Sequence, residues 1–375
     1  MREFLEGLLG KENVLHEAAD LLPYREDTTE ADPADPSLVA FVTEVDQVRE
    51  IVRRAAARRV PITPRVAGTN VGGLAIPAQG GLVLDMSRMN RVIEVSAEDM
   101  YAVIEPGVTQ QGMKDHLAAS GLPLTLGYSL APPHTSVLAN ALLGGLTNRS
   151  LKYGDQSEWI SGVEAVLSDG SVARTGAWAL SPIPFGNVPF PDVTGLFVGW
   201  QGMTGIVTKM AFQLWPLHPI RKRLMVLSSD VPSPYEAVRL LCRTEACDDI
   251  GGLSWPSAKM MMGVKKPRPT PAEGDPVFFL YVDLTAETAA ELAAKQEILG
   301  SVLARVRAGG GRFEDPMDIE TLLGVNPGLS AFADFPVDLE FLTNHGGGGL
   351  SWIGTYGPLS RFGEAATAAF RCSFT

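Results

Sequence analysis

Between residues 45 and 59 the apolar side chains recur at helical spacing. Val48, Ile51, Val52 and Ala55 fall on one face and Arg49, Arg53 and Arg54 point outward, the pattern of a helix that buries a single stripe. Residues 38–42 before it and 60–63 after it are short apolar runs, so the three predict a strand, helix, strand unit. Residues 1–11 alternate charged and apolar positions in helical fashion, and an acidic, Pro-containing link covers 26–36. Three further strands are predicted at 82–85, 92–95 and 101–105, separated by Gly, Asn or acidic turns, and together they suggest a small meander.

A helix is predicted over 110–120, stopped by Gly121 with Pro123 just beyond. Residues 162–167 and 171–174 flank Ser168-Asp169-Gly170, whose Asp-Gly pair supplies the positive dihedrals of a tight hairpin. Residues 206–214 alternate as a strand closed by Trp215-Pro216, and the basic run Arg221-Lys222-Arg223 then marks a change of domain, with the boundary near Pro219. Beyond it, helices are predicted at 235–242, 286–306 and 318–323, strands at 278–284 and 350–353, and a Pro-rich loop at 266–276. The expected class is α+β.

Composition narrows the function. Forty-three acidic against 31 basic residues give a formal charge of −12, which disfavours binding to a nucleic-acid backbone and favours a small-molecule or protein partner. Cys242, Cys247 and Cys372 form neither a disulfide framework nor a thiolate metal cluster, and no metal ligand set is assigned. No export signal and no apolar run near the length of a membrane-spanning helix is visible, so a cytoplasmic location is expected, with membrane contact only through a partner.

The strongest chemical signal is Pro64-Arg65-Val66-Ala67-Gly68-Thr69-Asn70-Val71-Gly72-Gly73, directly after a predicted strand. Such a loop can converge successive backbone N–H groups on one anion without a side-chain charge. A plain Gly-rich turn is the alternative. Two later segments change the balance: Asn140 to Gly145, and Thr194 to Gly199 leading into Gly202-Met203-Thr204-Gly205-Ile206-Val207-Thr208. The Gly346 to Gly349 run does not open a βαβ unit, and no Walker, His-Glu-x-x-His or Gly-x-Ser-x-Gly sequence occurs.

Taken in order, these segments resemble the FAD-binding domain of the family containing vanillyl-alcohol oxidase, 4-cresol dehydrogenase and the glycolate or D-lactate dehydrogenase flavoproteins, over roughly residues 38–216. The resemblance also takes in Gly80 to Asn90, Glu105-Pro106-Gly107-Val108, Lys152-Tyr153-Gly154 and residues 163–170. It implies a two-subdomain PCMH-type FAD-binding domain over 1–219, with subdomains of about 1–63 and 64–219. An α+β cap domain over 220–375 would follow, incomplete at its C-terminus because relatives continue beyond this point. It implies that Arg65, Val66, Ala67, Gly68, Thr69, Asn70 and Gly72 face the pyrophosphate. Thr135, Ser136, Asn140, Gly144 and Gly145 would line the flavin and ribityl chain, and Gly202, Gly205, Ile206 and Val207 the adenine side.

Two departures bear on this. Val66 and Ala67 stand where the family usually has glycines, and Leu138-Ala139 replaces another common Gly pair, so a positive φ at any of them would weaken phosphate binding. No His occupies the loop, and FAD is expected to be noncovalent. Candidate catalytic residues are His134, beside the flavin turn, and His345, Tyr356 and Arg361, which with Trp352 surround the predicted strand 350–353. That segment resembles a cap strand that shapes substrate pockets in the 4-cresol dehydrogenase branch. Arg361 or Arg221 could hold a carboxylate by a bidentate contact.

The activity implied is oxidation of a small hydroxylated substrate: a base takes the hydroxyl proton and hydride passes to the flavin. The Glu-Pro-Gly and Tyr-Gly segments point to a 2-hydroxy acid such as glycolate or D-lactate. The alternatives are a para-substituted phenol, or a noncatalytic flavin-bearing electron-transfer subunit. An iron–sulfur or cytochrome acceptor would belong to another polypeptide.

Overall fold

The computed structural model describes residues 1–187, 191–338, 359–361 and 363–364. Among the described residues two compact units form, the first from Met1–Thr147 with Asp155–Pro216, the second from Asn148–Gly154 with residues 217–338.

Among the described residues the first unit holds three sheets, one of them a two-stranded pair. In one, β1 (Val14–Leu15) pairs antiparallel with β2 (Leu38–Phe41), while β3 (Ile62–Arg65) and β2 both run parallel to β4 (Leu82–Asp85), in the order β1-β2-β4-β3. All four residues of β4 are buried, as expected of a central parallel strand covered on both faces. The helix Val45–Arg58 makes the crossover, capped reciprocally by Glu44 and Gln47, and buries Val48, Ile51, Val52 and Ala55 as its spacing predicts. Its outward face is not wholly solvated: Arg49 Nε donates to the Gly170 carbonyl at 3.2 Å, which ties the crossover helix to the 168–170 turn.

The three-stranded meander is corrected. Leu82–Asp85 belongs to the parallel sheet, and only β5 (Val92–Ser96) and β6 (Tyr101–Ile104) pair with each other. Four buried residues in a row suit the middle of a parallel sheet, whereas no residue of β5 is buried and the strand lies at an edge. The sheets consequently change over after Asp85 rather than at residue 63. Next, β7 (Leu124–Thr125) waits for β11 (Trp215–Pro216), so Trp215-Pro216 is a strand pair and not merely a stop. The hairpin β8 (Ile160–Val166) and β9 (Val172–Arg174) forms as expected, and β10 (Ile206–Gln213) inserts between β6 and β8 to give the order β5-β6-β10-β8-β9. Glu164 on β8 is buried between Arg174 at 2.8 Å and Lys209 at 2.6 Å.

The second unit is built on one antiparallel sheet, β13 (Asp249–Ser254), β14 (Phe278–Ala286), β12 (Ile220–Ser228) and β15 (Met317–Asp318), in that order. Helices Pro232–Leu241 and Ala289–Ala308 supply Leu240, Leu241, Leu299 and Leu303 to the apolar layer over Leu224, Val226, Leu280 and Val282. The opposite face packs Met225 and Phe279 on Trp255, Ile319 and Phe332. The expected helix at 286–306 starts later, because β14 runs to Ala286 and Thr288 caps Glu291 N. Strands β12 and β13 escape the sequence pattern, the first behind its charged opening, the second behind Gly251-Gly252. A Cβ on Gly251 would run into the Tyr281 ring and one on Gly252 into the Phe278 ring, on opposite faces of the sheet. The strand expected at 350–353 lies outside the described residues.

Candidate functional site

Three segments of the first unit meet. The loop after β3 is joined to the turn before helix Val137–Leu142 by a hydrogen bond from Thr135 Oγ1 to Thr69 Oγ1 at 3.1 Å. That helix is joined in turn to the third segment by Gly199 N donating to the Leu142 carbonyl at 2.8 Å. Gly202 in that third segment lies near the strand that leads into the loop, since a Cβ built on it would sit 4.0 Å from Pro64 Cγ.

Within the loop, Gly68 has φ +69° and Gly73 +77°. Val66, Ala67, Leu138 and Ala139 all stay out of the left-handed region, so the four side chains that replace family glycines carry no backbone strain there. Leu138 and Ala139 lie in a helix, where a glycine pair would only weaken it. Asn70 Oδ1 accepts from Gly72 N at 2.7 Å and from Leu74 N at 2.9 Å. The Gly72 amide is therefore already satisfied, and the Asn70 side chain shapes the loop from within.

Five consecutive amides, of Ala67, Gly68, Thr69, Asn70 and Val71, donate to no acceptor among the described residues, although the loop is half-buried. Backbone donors removed from water need partners, and a run of five suits the oxygens of a diphosphate. Val71 was not among the residues singled out by the sequence. Arg65 lies beneath: its guanidinium donates to the carbonyls of Pro23 at 3.0 Å and Glu26 at 2.9 Å and makes no ion pair among the described residues. Burial lowers its pKa from 12.5, opposed by Tyr24, Asp85, Asp27 and Glu26, and its charge stands under the loop while its hydrogen bonds go elsewhere.

The second segment is held by its own side chains. Ser136 Oγ donates to the Pro106 carbonyl at 2.6 Å and accepts from Ala139 N at 3.1 Å. Asn140 Nδ2 bonds Ser129 Oγ at 2.9 Å and Gln156 Oε1 at 2.7 Å, and Gly145 is pressed so closely on that amide that a Cβ would overlap it. Gly144 has φ +66°, and Gly202 and Gly205 have +80° and +155°. Ile206 and Val207 open β10 opposite Val166 and Ala165, both buried. Leu130, Leu143, Leu146, Leu196, Trp200 and Met203 stand exposed in or beside these segments. A loop without periodicity gave no signal for them. The residues present fit FAD.

Of the catalytic candidates, His134 and Arg361 fall among the described residues. His134 is exposed on the turn before Thr135. Arg361 is exposed and both Nε and Nη2 bond Glu364 Oε2, at 3.1 and 2.7 Å. His345, Trp352 and Tyr356 lie outside the described residues.

A separate polar cluster occupies one face of the second sheet. Arg223 is buried and bidentate to Asp283, with Nε at 2.9 Å and Nη2 at 2.5 Å, and its third nitrogen donates to the Phe332 carbonyl. Arg221 bridges Asp283 and Asp334, each at 2.7 Å. Asp249, directly across from Asp283 on β13, is 3.7 Å from Arg223, and its Oδ2 accepts no hydrogen bond. Burial pushes the Asp249 carboxyl up to about 6, Arg223 opposing and Asp283 adding to the rise.

Comparison with known proteins agrees with this geometry. Residues 36–176 match the family described as FAD binding domain. The chain is 32% identical over 244 residues to the glycolate oxidase subunit GlcD of Bacillus subtilis, 64% of this chain and 49% of the relative. It is 33% identical over 246 residues to the 4-cresol dehydrogenase [hydroxylating] flavoprotein subunit of Pseudomonas putida, 62% and 46% respectively. A solved structure of p-cresol methylhydroxylase with substrate bound superposes with a TM-score of 0.75 at 26% identity, covering 85% of this chain and 65% of that one. The chain spans about half the length of the curated relatives it matches. Among the described residues no helix is long and apolar enough to cross a membrane. Residues 36–176 are thus similar to an FAD binding domain, and the likeness to the two flavoprotein relatives extends over 64% and 62% of the chain.

Proposed function

We propose that the protein is an FAD-dependent oxidoreductase, its first unit the FAD-binding domain and its second the substrate-covering cap. The observation that carries this reading is the run of five acceptorless amides at the meeting point of three loop segments. Those amides hold the diphosphate, Arg65 adds positive potential beneath it, and Leu146, Trp200 and Met203 shield the ring system from water. FAD, when bound, supplies the hydride acceptor. His134, exposed beside the flavin turn, is the described side chain available to take a hydroxyl proton.

For the substrate we favour a neutral para-substituted phenol over a 2-hydroxy acid. The two arginines that could hold a carboxylate, Arg221 and Arg361, are each already engaged by carboxylates of their own chain. The likeness to p-cresol methylhydroxylase also extends over 85% of the chain. Both curated relatives are named as subunits, and we extend this to an electron-accepting partner subunit, iron–sulfur or cytochrome, for this chain.

An anaerobic screen that follows loss of the flavin's visible absorbance tests the reading. Bleaching by 4-hydroxybenzyl alcohol or p-cresol, with none by D-lactate or glycolate, is expected. The reverse pattern restores the hydroxy acid. A yellow protein that neither class bleaches leaves a noncatalytic electron-transfer role, and a colourless one removes FAD altogether.

A further inference from the structure

Residues 23–31 lie along the glycine loop and grip it at both ends. At its start, Arg65 reaches back to the Pro23 and Glu26 carbonyls and stands 5.3 Å over the Tyr24 ring. A Cβ on Gly68 would collide with that guanidinium, so the half-buried arginine forms the floor under Gly68, whose amide is one of the five without an acceptor. At the far end, Thr28 donates twice to the Asn70 carbonyl, from N at 3.3 Å and from Oγ1 at 2.5 Å. A Cβ on Gly73 would sit 3.7 Å from Ala31 and 3.9 Å from Thr29 Oγ1. The segment is itself closed, by Ala34 N to the Arg25 carbonyl at 2.9 Å, Arg25 to Asp35 at 3.1 Å, and Thr29 Oγ1 to Asp27 Oδ1 at 2.6 Å.

The contact at Asn70 has a directional effect. In a trans peptide the carbonyl and the N–H that follows it point opposite ways, and the bond between Asn70 and Val71 is trans. Drawing the Asn70 carbonyl onto Thr28 therefore turns Val71 N–H away from residues 23–31. A loop containing Gly68, Gly72 and Gly73 has more conformational freedom to lose than one built of other residues, and its amides without acceptors are free to turn toward water. Contacts from outside the loop limit that freedom.

We propose that residues 23–31 are a strap that sets the shape of the diphosphate loop, with Thr28 as a positioning residue for FAD and Arg65 as the buckle. The inference rests on the FAD reading for its ligand but not for its geometry. The strap touches no ligand and acts through the Asn70 carbonyl and the floor beneath Gly68.

Thr28→Val keeps the side chain's shape and removes one of the two donors, and Thr28→Ser restores it. Two measurements on the full chain apply: amide hydrogen exchange of residues 67–74 without FAD, and the FAD dissociation constant from recovery of flavin fluorescence. Thr28→Val should speed exchange in the loop and weaken FAD binding by roughly five- to tenfold, the worth of one hydrogen bond, while Thr28→Ser stays at the wild-type values. Unchanged FAD affinity in Thr28→Val overturns the positioning role. Should the wild type take up no FAD, the proposed function fails and the exchange comparison alone judges the strap, an unaltered rate overturning it.

Discussion

The glycine loop of the first unit and the charged face of the second sheet solve opposite problems. In the loop, side chains such as Asn70 and Arg65 are spent on carbonyls and amides of the chain, and the backbone donors of residues 67–71 are left over. On the sheet, β12 and β14 commit their backbones to strand pairing, and guanidinium and carboxylate groups face one another with little access to water. A surplus of neutral donors at a half-buried surface is an offer to a ligand. Charges that already neutralise each other hold a structure in register but offer a substrate little. Both regions are polar, and only one is available.

The largest expected effect breaks the second region. Arg223→Met leaves Asp283 and Asp249 opposed without their shared cation, and chemical denaturation should show the second unit weakened by about 3–5 kcal/mol. In the first region Gly68→Ala should act on binding, because φ +69° and the underlying Arg65 both oppose a Cβ. A penalty of about 1–3 kcal/mol should appear as loss of FAD affinity in a titration, with secondary structure by circular dichroism unchanged.

Acid should separate the regions by sign. The Asp249 carboxyl is raised from 3.8 to about 6, so its contribution to stability is complete below 3.8 and is lost as the pH climbs through 6. Asp249→Asn should flatten the second unit's stability across that window and gain about 1–2 kcal/mol at pH 7.5. Glu164 behaves in the reverse sense: burial pushes its carboxyl up, but hydrogen bonds from Lys209 and Arg174 outweigh this and hold it below 4.5. Its contribution is present above that ordinary value and lost as the pH falls through the lowered one, so melting should show the first unit weakening only as the pH drops below 4.5. The smallest effect is expected at Arg361→Ala, whose exposed pairing with Glu364 should leave the melting temperature within about 1 °C and substrate affinity unchanged.

The same contrast explains what could be read from the residues alone. The helix Val45–Arg58, the Asp169-Gly170 hairpin and the glycine loop are local patterns, each decided by neighbours a few positions apart. The loop's partners were less legible: Thr28 lies 42 residues from Asn70, and no spacing rule links them. Strand β12 was hidden because Arg221 and Arg223 look like a solvated basic run until Asp283, about sixty residues on, faces them across the sheet. Leu82–Asp85 was given the wrong neighbours because four buried residues in a row do not say which sheet contains them.

The adjacent glycines of β13 make that strand the thinnest place between the two layers of the second unit. Gly251 lets the Tyr281 ring lie across it toward the ionic side, and Gly252 does the same for Phe278 toward the helical side. A methyl group added at one position would lift a ring in one layer and leave the other untouched. Neighbouring one-atom insertions thus become independent probes of ionic order and of helix packing, read out on either side of a single backbone.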